Sequence, residues 1–253
     1  MIENQYPTET VELPSKGLGL YPEGHPLAAG EVQMKYMTAY HEDILTNTNY
    51  LKQGIAIDKV LESLLVDKIP LDEFLVGDKN ALMVAARVLG YGPDYEIAAT
   101  NPVTGKLQKI TVDLGKLEYK DLDKGLFNGV NGEVDFLLPV SKKTVTIKLL
   151  DGKTNKTISN EINGLKKLRP EESFEITVRL KNTIVALDGN RDIKTIRSFV
   201  DGMRPGDSLA IRSFYSKITP DVEMKVKYNF EGYGEEDVDV PIGINFFWPS
   251  EQL

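Results

Sequence analysis

The segment Pro14–Leu27 constrains the fold of this chain more than any other part of its sequence. Glycine and proline recur throughout it, so it can form neither a helix nor a central strand. Large apolar residues stand between the turn residues, among them Leu18, Leu20 and Tyr21, whereas disordered linkers are poor in such groups. We therefore expect residues 1–30 to form an extended arm that lies ordered against a surface of this chain or of a partner.

The composition excludes several classes of site. A chain of 253 residues has room for one or two domains with a sizeable core. Its net charge of −8 argues against a large phosphate-binding surface, so we expect no nucleic-acid partner. The absence of cysteine excludes disulfides, thiolate zinc sites, iron–sulfur clusters and cysteine nucleophiles.

Membrane and export signals are also missing from the sequence. No run of about 18 apolar residues occurs, so we expect no transmembrane helix. The segment Met1–Pro7 lacks the basic stretch and following apolar stretch of a secretory signal. An intracellular origin is the simplest expectation.

Hydrophobic periodicity predicts an α+β fold. Alternation over residues 31–37 indicates a half-buried strand, and Thr38 caps a short helix that runs to about Thr46. An amphipathic helix begins near Asp58. Residues 80–89 are apolar nearly all round, which predicts a buried helix closed by a left-handed Gly90.

Two β-hairpins are predicted far apart in the sequence, and the predicted domain boundaries follow from their positions. Residues 95–100 and 107–114 form the first, and residues 222–230 and 235–241 form the second. Between them we expect one strand pair and a mainly helical stretch, in which Pro170 starts a helix. The predicted units are an arm at 1–30, an α+β core with paired hairpins at 31–118 plus 219–253, and a strand pair with a helical subdomain at 119–218.

No motif for metal binding is complete. His41-Glu42 begins like a zinc-protease helix, but Leu45 occupies the position of the second histidine, so we interpret His41 as a surface residue. His25 is interpreted as a turn residue bonded to the backbone. Asp188–Asp192 alternates oxygen ligands like a calcium loop but lacks the bending glycine and the terminal glutamate. We read it as a helix C-cap followed by a new N-cap.

Catalytic motifs are missing as well. The sequence has no phosphate-binding loop, no dinucleotide fingerprint and no serine-hydrolase elbow. We predict no catalytic residue, no cofactor site and no metal ligand, and hence a protein that is not an enzyme. An enzyme stays open only if carboxylates distant in sequence assemble in three dimensions.

Several strings resemble the baseplate hub subunit family of T4-type contractile-tailed phages, in the same order from about residue 11 to residue 250. Each string is weakly specific, and together they are fairly specific. Besides the block from Pro14 with Tyr21-Pro22, they are Lys35–Asn47, Asp67–Ala81, Ala85–Gly92, Leu187–Asp192, Arg197–Asp201 and Val240–Pro249.

The resemblance implies a structural part of the hub or inner baseplate. Such a protein would be oligomeric within the baseplate, would dock against other tail and baseplate proteins, and would be found in the virion after assembly in the host cytoplasm. Two alternatives stay open: an assembly chaperone absent from the mature virion, or a nucleic-acid-binding module descended from a zinc ribbon. The acidic charge and the missing cysteines oppose the second alternative.

The chain departs from this family at the two hairpin tips. Relatives often carry a Cys-Pro-x-Cys-Gly knuckle at each tip, which together form a four-thiolate zinc ribbon. Here the tips read Thr100–Gly105 and Phe230–Gly234, without sulfur. We therefore expect a metal-free, zinc-ribbon-like unit in which apolar side chains replace the ion. The expected side chains are Ile97, Ile110, Val112, Val226 and Tyr228.

Three consecutive aromatic residues near the end of the sequence complete the set of candidate docking residues. Neighbouring side chains of a strand or a helix face different directions, so at least one ring should point away from the local core. Such rings are effective interface anchors. The alternative is that this segment folds back on its own core. The interface candidates are Leu18, Leu20, Tyr21, Phe246, Phe247 and Trp248.

Overall fold

The computed structural model describes residues 7–16, 18–127, 132–242 and 246–247. Within these ranges the protein is mixed α+β, as predicted, with eight α-helices and four small antiparallel sheets. The strands are β1 Thr8–Glu12, β2 Glu31–Lys35, β3 Asp94–Thr100, β4 Leu107–Asp113, β5 Glu133–Leu137, β6 Thr144–Lys148, β7 Ile184–Leu187, β8 Lys225–Phe230 and β9 Gly234–Asp239. The helices are α1 Ala39–Thr46, α2 Thr48–Gln53, α3 Ala56–Leu64, α4 Val76–Tyr91, α5 Gly152–Leu168, α6 Glu175–Thr183, α7 Ile193–Asp201 and α8 Pro205–Ile218.

The N-terminal region contains a strand that the sequence reading missed. β1 pairs with β2 in antiparallel register, with Val11 opposite Val32, and both side chains are buried. Leu13 continues the pairing, because its N–H donates to the carbonyl of Gly30 at 2.8 Å. Residues 8–13 are therefore sheet and not a separate extended arm. Only Val11 and Leu13 alternate with polar residues there, which is too short a pattern to indicate a strand.

Helix α4 is the central element of the largest hydrophobic cluster. It is longer than predicted: Gly90 lies inside it, and Gly92, at φ +82°, follows its last residue. Gly77 is required at its start, because a Cβ there would lie 1.7 Å from the carbonyl oxygen of Pro220. This close approach sets the distance between α4 and the segment that leads into β8.

The two hairpins β3–β4 and β8–β9 share this cluster. Ile97, Ile110 and Val112 are buried in it, and Val226 and Tyr228 pack against it while partly exposed. A hydrogen bond also joins the hairpin regions, since the Tyr95 hydroxyl donates to the carbonyl of residue 241 at 3.2 Å. The apolar residues named from the sequence thus meet in one core.

The intervening region is built on a three-stranded sheet in the order β5-β6-β7 with helices α5 to α8. The sequence predicted a mainly helical stretch for the second half of this region. β7 interrupts it, because Ile184–Leu187 is apolar with two β-branched residues and pairs with β6, Val145 opposite Leu187. Helix α5 begins at Gly152, earlier than the helical stretch that the sequence predicted from about Asn160, and the Asp151 carboxylate caps it by accepting the Thr154 N–H at 2.7 Å.

Two further local predictions are corrected in this region. Pro170 lies in the turn between α5 and α6 and does not start a helix. The segment after Leu187 is a turn at the end of a strand, with Asp188 and Gly189 at φ +49° and +80°, and not a helix C-cap. The predicted N-cap is confirmed, because Asp192 accepts the N–H of Thr195 at 2.9 Å.

Candidate docking surfaces

The N-terminal candidate residues face the protein itself. Leu20 is buried, and Leu18 and Tyr21 are partly buried. All three belong to the same hydrophobic cluster as Leu75, the residue before α4. Leu20 is therefore not available to a partner, and its interpretation as a docking residue was wrong. The alternative expectation, order against the chain's own surface, describes residues 13–16 and 18–27 better.

A buried carboxylate holds this segment in place. Asp78, in the first turn of α4, accepts hydrogen bonds from the Ser15 N–H at 3.0 Å, from the Ser15 hydroxyl at 2.6 Å and from the Tyr21 hydroxyl at 2.7 Å. The Tyr21 oxygen in turn accepts the Leu75 N–H at 2.8 Å. These four bonds connect residues more than fifty positions apart.

Burial raises the pKa values of both titratable groups in this network. Asp78 has 0% exposure, and burial raises the pKa of its carboxyl although the hydrogen bonds from Ser15 and Tyr21 oppose the shift. Burial, together with the nearby Asp78, also raises the pKa of the Tyr21 hydroxyl. No described cation forms a salt bridge with Asp78. The Tyr21 hydroxyl therefore remains a donor at neutral pH.

The C-terminal candidates are core residues as far as they are described. Phe246 and Phe247 have 0% exposure and contact each other edge to face at 5.2 Å between ring centroids. Phe246 makes a second edge-to-face contact with Tyr95, also at 5.2 Å. Side chains without exposed surface cannot bind a partner in the folded protein, which corrects their interpretation as docking anchors. Trp248 lies outside the described residues.

Several of the exposed apolar side chains lie near the tips of the two hairpins. In β3–β4, Val103 is 57% exposed and Leu107 is 74% exposed; in β8–β9, Tyr233 is 54% exposed. The sequence carried a signal for Leu107, which is out of phase with the buried Ile110 and Val112 of the same strand. Because successive side chains of a strand face opposite sides of the sheet, Ile110 and Val112 define the core face and Leu107 lies on the opposite face.

A groove of about 770 Å³ separates the two hairpins near their bases. Both signs of charge line it, including Lys116, Glu118, Glu223 and Lys227. Within the described ranges, no three histidine, aspartate or glutamate side chains are close enough together to hold a metal ion. The groove is therefore lined by side chains of both charges, without a metal-binding cluster among the residues that the structure describes.

Both histidines have local structural partners. His41 is buried and not on the surface as predicted; its Nδ1 accepts the Thr38 N–H at 2.9 Å at the start of α1, and burial lowers its pKa. His25 is a turn residue as predicted, because its Nδ1 accepts the Leu27 N–H at 3.2 Å. Its Nε2 lies 3.2 Å from a Glu73 oxygen.

None of the described helices has both the length and the apolar character needed to cross a membrane. Comparison of the chain with protein-family models, curated proteins and solved structures found no match.

Proposed function

We propose that this protein is a structural component of the baseplate of a contractile phage tail, where it acts by docking against neighbouring tail proteins. The proposal starts from the resemblance of the ordered strings between residues 11 and 250 to the hub subunit family. It includes the finer suggestion that β3–β4 and β8–β9 correspond to a zinc-ribbon-like unit whose ion is replaced by apolar side chains.

The observation that carries the docking role is the pair of apolar side chains at the end of β3–β4. Leu107 is the first residue of β4 and Val103 lies in the turn before it, and because the sheet has two strands, an unpaired strand edge lies beside Leu107. A strand edge with exposed apolar side chains is suited to pairing with another protein. Burial of these side chains against a partner removes apolar surface from water and therefore contributes favourably to the binding free energy. Leu107 is the best single candidate for an anchor.

Mass spectrometry of purified particles tests the proposal. Intact tails and incomplete baseplate intermediates would be prepared separately and searched for this chain. A fixed stoichiometry in intact tails is the expected result. Presence in intermediates alone would instead identify an assembly factor, and absence from both would overturn the proposal.

A matched pair of variants tests the docking residue. We expect Leu107→Ser to reduce incorporation into particles by about tenfold or more, because an interface anchor contributes upwards of about 1.4 kcal/mol. Leu168→Ser is the control, since that leucine is equally exposed at the end of α5. Equal incorporation of both variants would remove β3–β4 from the interface.

A further inference from the structure

A second cavity lies between α6 and α8, away from the hairpins. It has a volume of about 480 Å³, and we call it the α6–α8 groove. Its floor is apolar and is formed by Leu150, Leu180 and Ile211, all buried, together with Tyr215. This volume is sufficient for one large side chain and its neighbours.

Polar side chains line the same groove. Thr183 is only 5% exposed. Arg212 is exposed at the rim, and its side chain forms no hydrogen bond or ion pair within the described part of the chain. Arg179 has one contact, to Glu175 at 3.4 Å. The groove thus combines an apolar floor, one buried hydroxyl and two guanidinium groups, a set that fits an aromatic group with a polar end and adjacent carboxylates.

The tip of β8–β9 carries that combination. Tyr233 projects between Gly232 and Gly234, at φ +79° and +106°, and no atom lies within 4 Å of where either Cβ would be. The backbone beside the ring can therefore approach another surface closely. Glu231 and Glu235 flank this turn, and neither makes a salt bridge to a described residue. Residues 228–236 include Glu236 as well and contain no lysine or arginine.

We propose that the β8–β9 tip of one copy inserts into the α6–α8 groove of a second copy. The ring of Tyr233 would lie on the apolar floor, and its hydroxyl would bond to the hydroxyl of Thr183. The neighbouring glutamates would pair with Arg179 and Arg212. A second copy is the favoured occupant because the acidic aromatic tip and the basic apolar groove are complementary and occur on the same chain.

The contact is heterologous, since the tip and the groove are different surfaces. Each copy keeps one free tip and one free groove after the first contact, so association continues into a ring or a filament. Opposite charges accelerate and strengthen such a contact at low salt. Association should therefore increase with protein concentration and weaken as ionic strength rises.

Sedimentation velocity on the full chain tests the proposal, at protein concentrations up to about 1 mM, a range that includes weak, transient interfaces. We expect wild-type protein to form oligomers larger than dimers. Tyr233→Ala should weaken association about thirtyfold, as a buried aromatic anchor does. Tyr40→Ala is the control, because Tyr40 is another exposed tyrosine, located on α1. Glu235→Lys provides a second tip variant, and circular dichroism verifies that each variant is folded.

Mixing two defective variants is the decisive arm. Tyr233→Ala retains the groove, and Arg212→Glu retains the tip, so each alone should be monomeric whereas the mixture should form a 1:1 dimer that cannot extend. This result would distinguish a tip-in-groove contact from nonspecific association. A wild-type protein that stays monomeric, an equal loss with Tyr40→Ala, or a mixture that stays monomeric would each overturn the proposal.

Discussion

Two glycine-rich segments of this protein carry a tyrosine, and they have opposite surroundings. In the first, residues 14–27, the Tyr21 hydroxyl bonds to Asp78 and to the Leu75 N–H, and the segment lies against the body. In the second, residues 230–234, Tyr233 extends from a hairpin tip with more than half of its surface exposed. Both segments contain glycine and aromatic residues, so their composition does not explain why one is internal and the other exposed.

The difference comes from a buried acceptor elsewhere in the sequence. Asp78 receives three hydrogen bonds from the first segment, and leaving those donors unpaired in the interior would cost free energy. The Tyr233 hydroxyl makes no hydrogen bond to any residue that the structure describes. A segment that resembles a docking arm can therefore be an internal contact, and a plain hairpin tip can be the available surface.

The largest effect is expected for the buried C-terminal aromatics. Phe247→Ala should lower the free energy of unfolding by about 3–5 kcal/mol, because it removes a ring with 0% exposure and leaves a cavity. Urea unfolding measures this, with Leu168→Ala as a surface control. A variant with unchanged unfolding free energy but reduced incorporation into particles would instead show that Phe247 is a docking residue.

Loss of the buried acceptor should have the next largest effect. Asp78→Ala should destabilise the protein by about 3 kcal/mol, since the Ser15 and Tyr21 donors lose their acceptor inside the protein. Asp78→Asn should cost less, because its amide oxygen still accepts. Asp43→Ala, at an exposed position on α1, is the control. Equal stability of all three variants would show that the network does not hold residues 14–27.

A smaller, pH-dependent effect follows from the raised pKa of Asp78. Ionisation of this carboxyl costs the folded state more than the unfolded state, whose pKa is about 3.9. Its contribution to stability is therefore largest below about pH 4 and falls as the pH rises through the folded-state pKa. The stability of wild type minus that of Asp78→Asn should decrease over this interval in urea titrations. An increase would show that the hydrogen bonds lower the pKa instead.

The smallest effect is expected for metal removal. A chelator should leave the melting temperature unchanged, because the chain has no cysteine and both histidines are engaged in local contacts. Elemental analysis that found about one zinc per chain would contradict a metal-free hairpin unit, since a structural site needs four ligands.

The sequence predicted those elements whose pattern is local. Alternation in β3, β4 and β8 and the apolar character of α4 identified the two hairpins and the central helix. β7 was missed because four apolar residues between helices fit a buried helix as well as a strand, and only pairing with β6 decides between them.

The candidate sites were harder to predict because they depend on distant contacts. Nothing near Tyr21 in the sequence identifies Asp78 as its acceptor, 57 positions away. Phe246 contacts Tyr95, about 150 positions away, and the α6–α8 groove depends on the packing of α6 against α8. Periodicity within one element cannot supply such information.

Parallel measurement of Tyr21→Ala and Tyr233→Ala tests the contrast between the two segments most directly. Tyr21→Ala should lose about 3 kcal/mol of unfolding free energy, because it removes a partly buried ring and two hydrogen bonds. Tyr233→Ala should stay within about 0.5 kcal/mol of wild type while losing association, as expected for a surface residue that binds a partner. Equal stability losses, or a Tyr21→Ala variant as stable as wild type, would contradict the division into an internal segment and a docking tip.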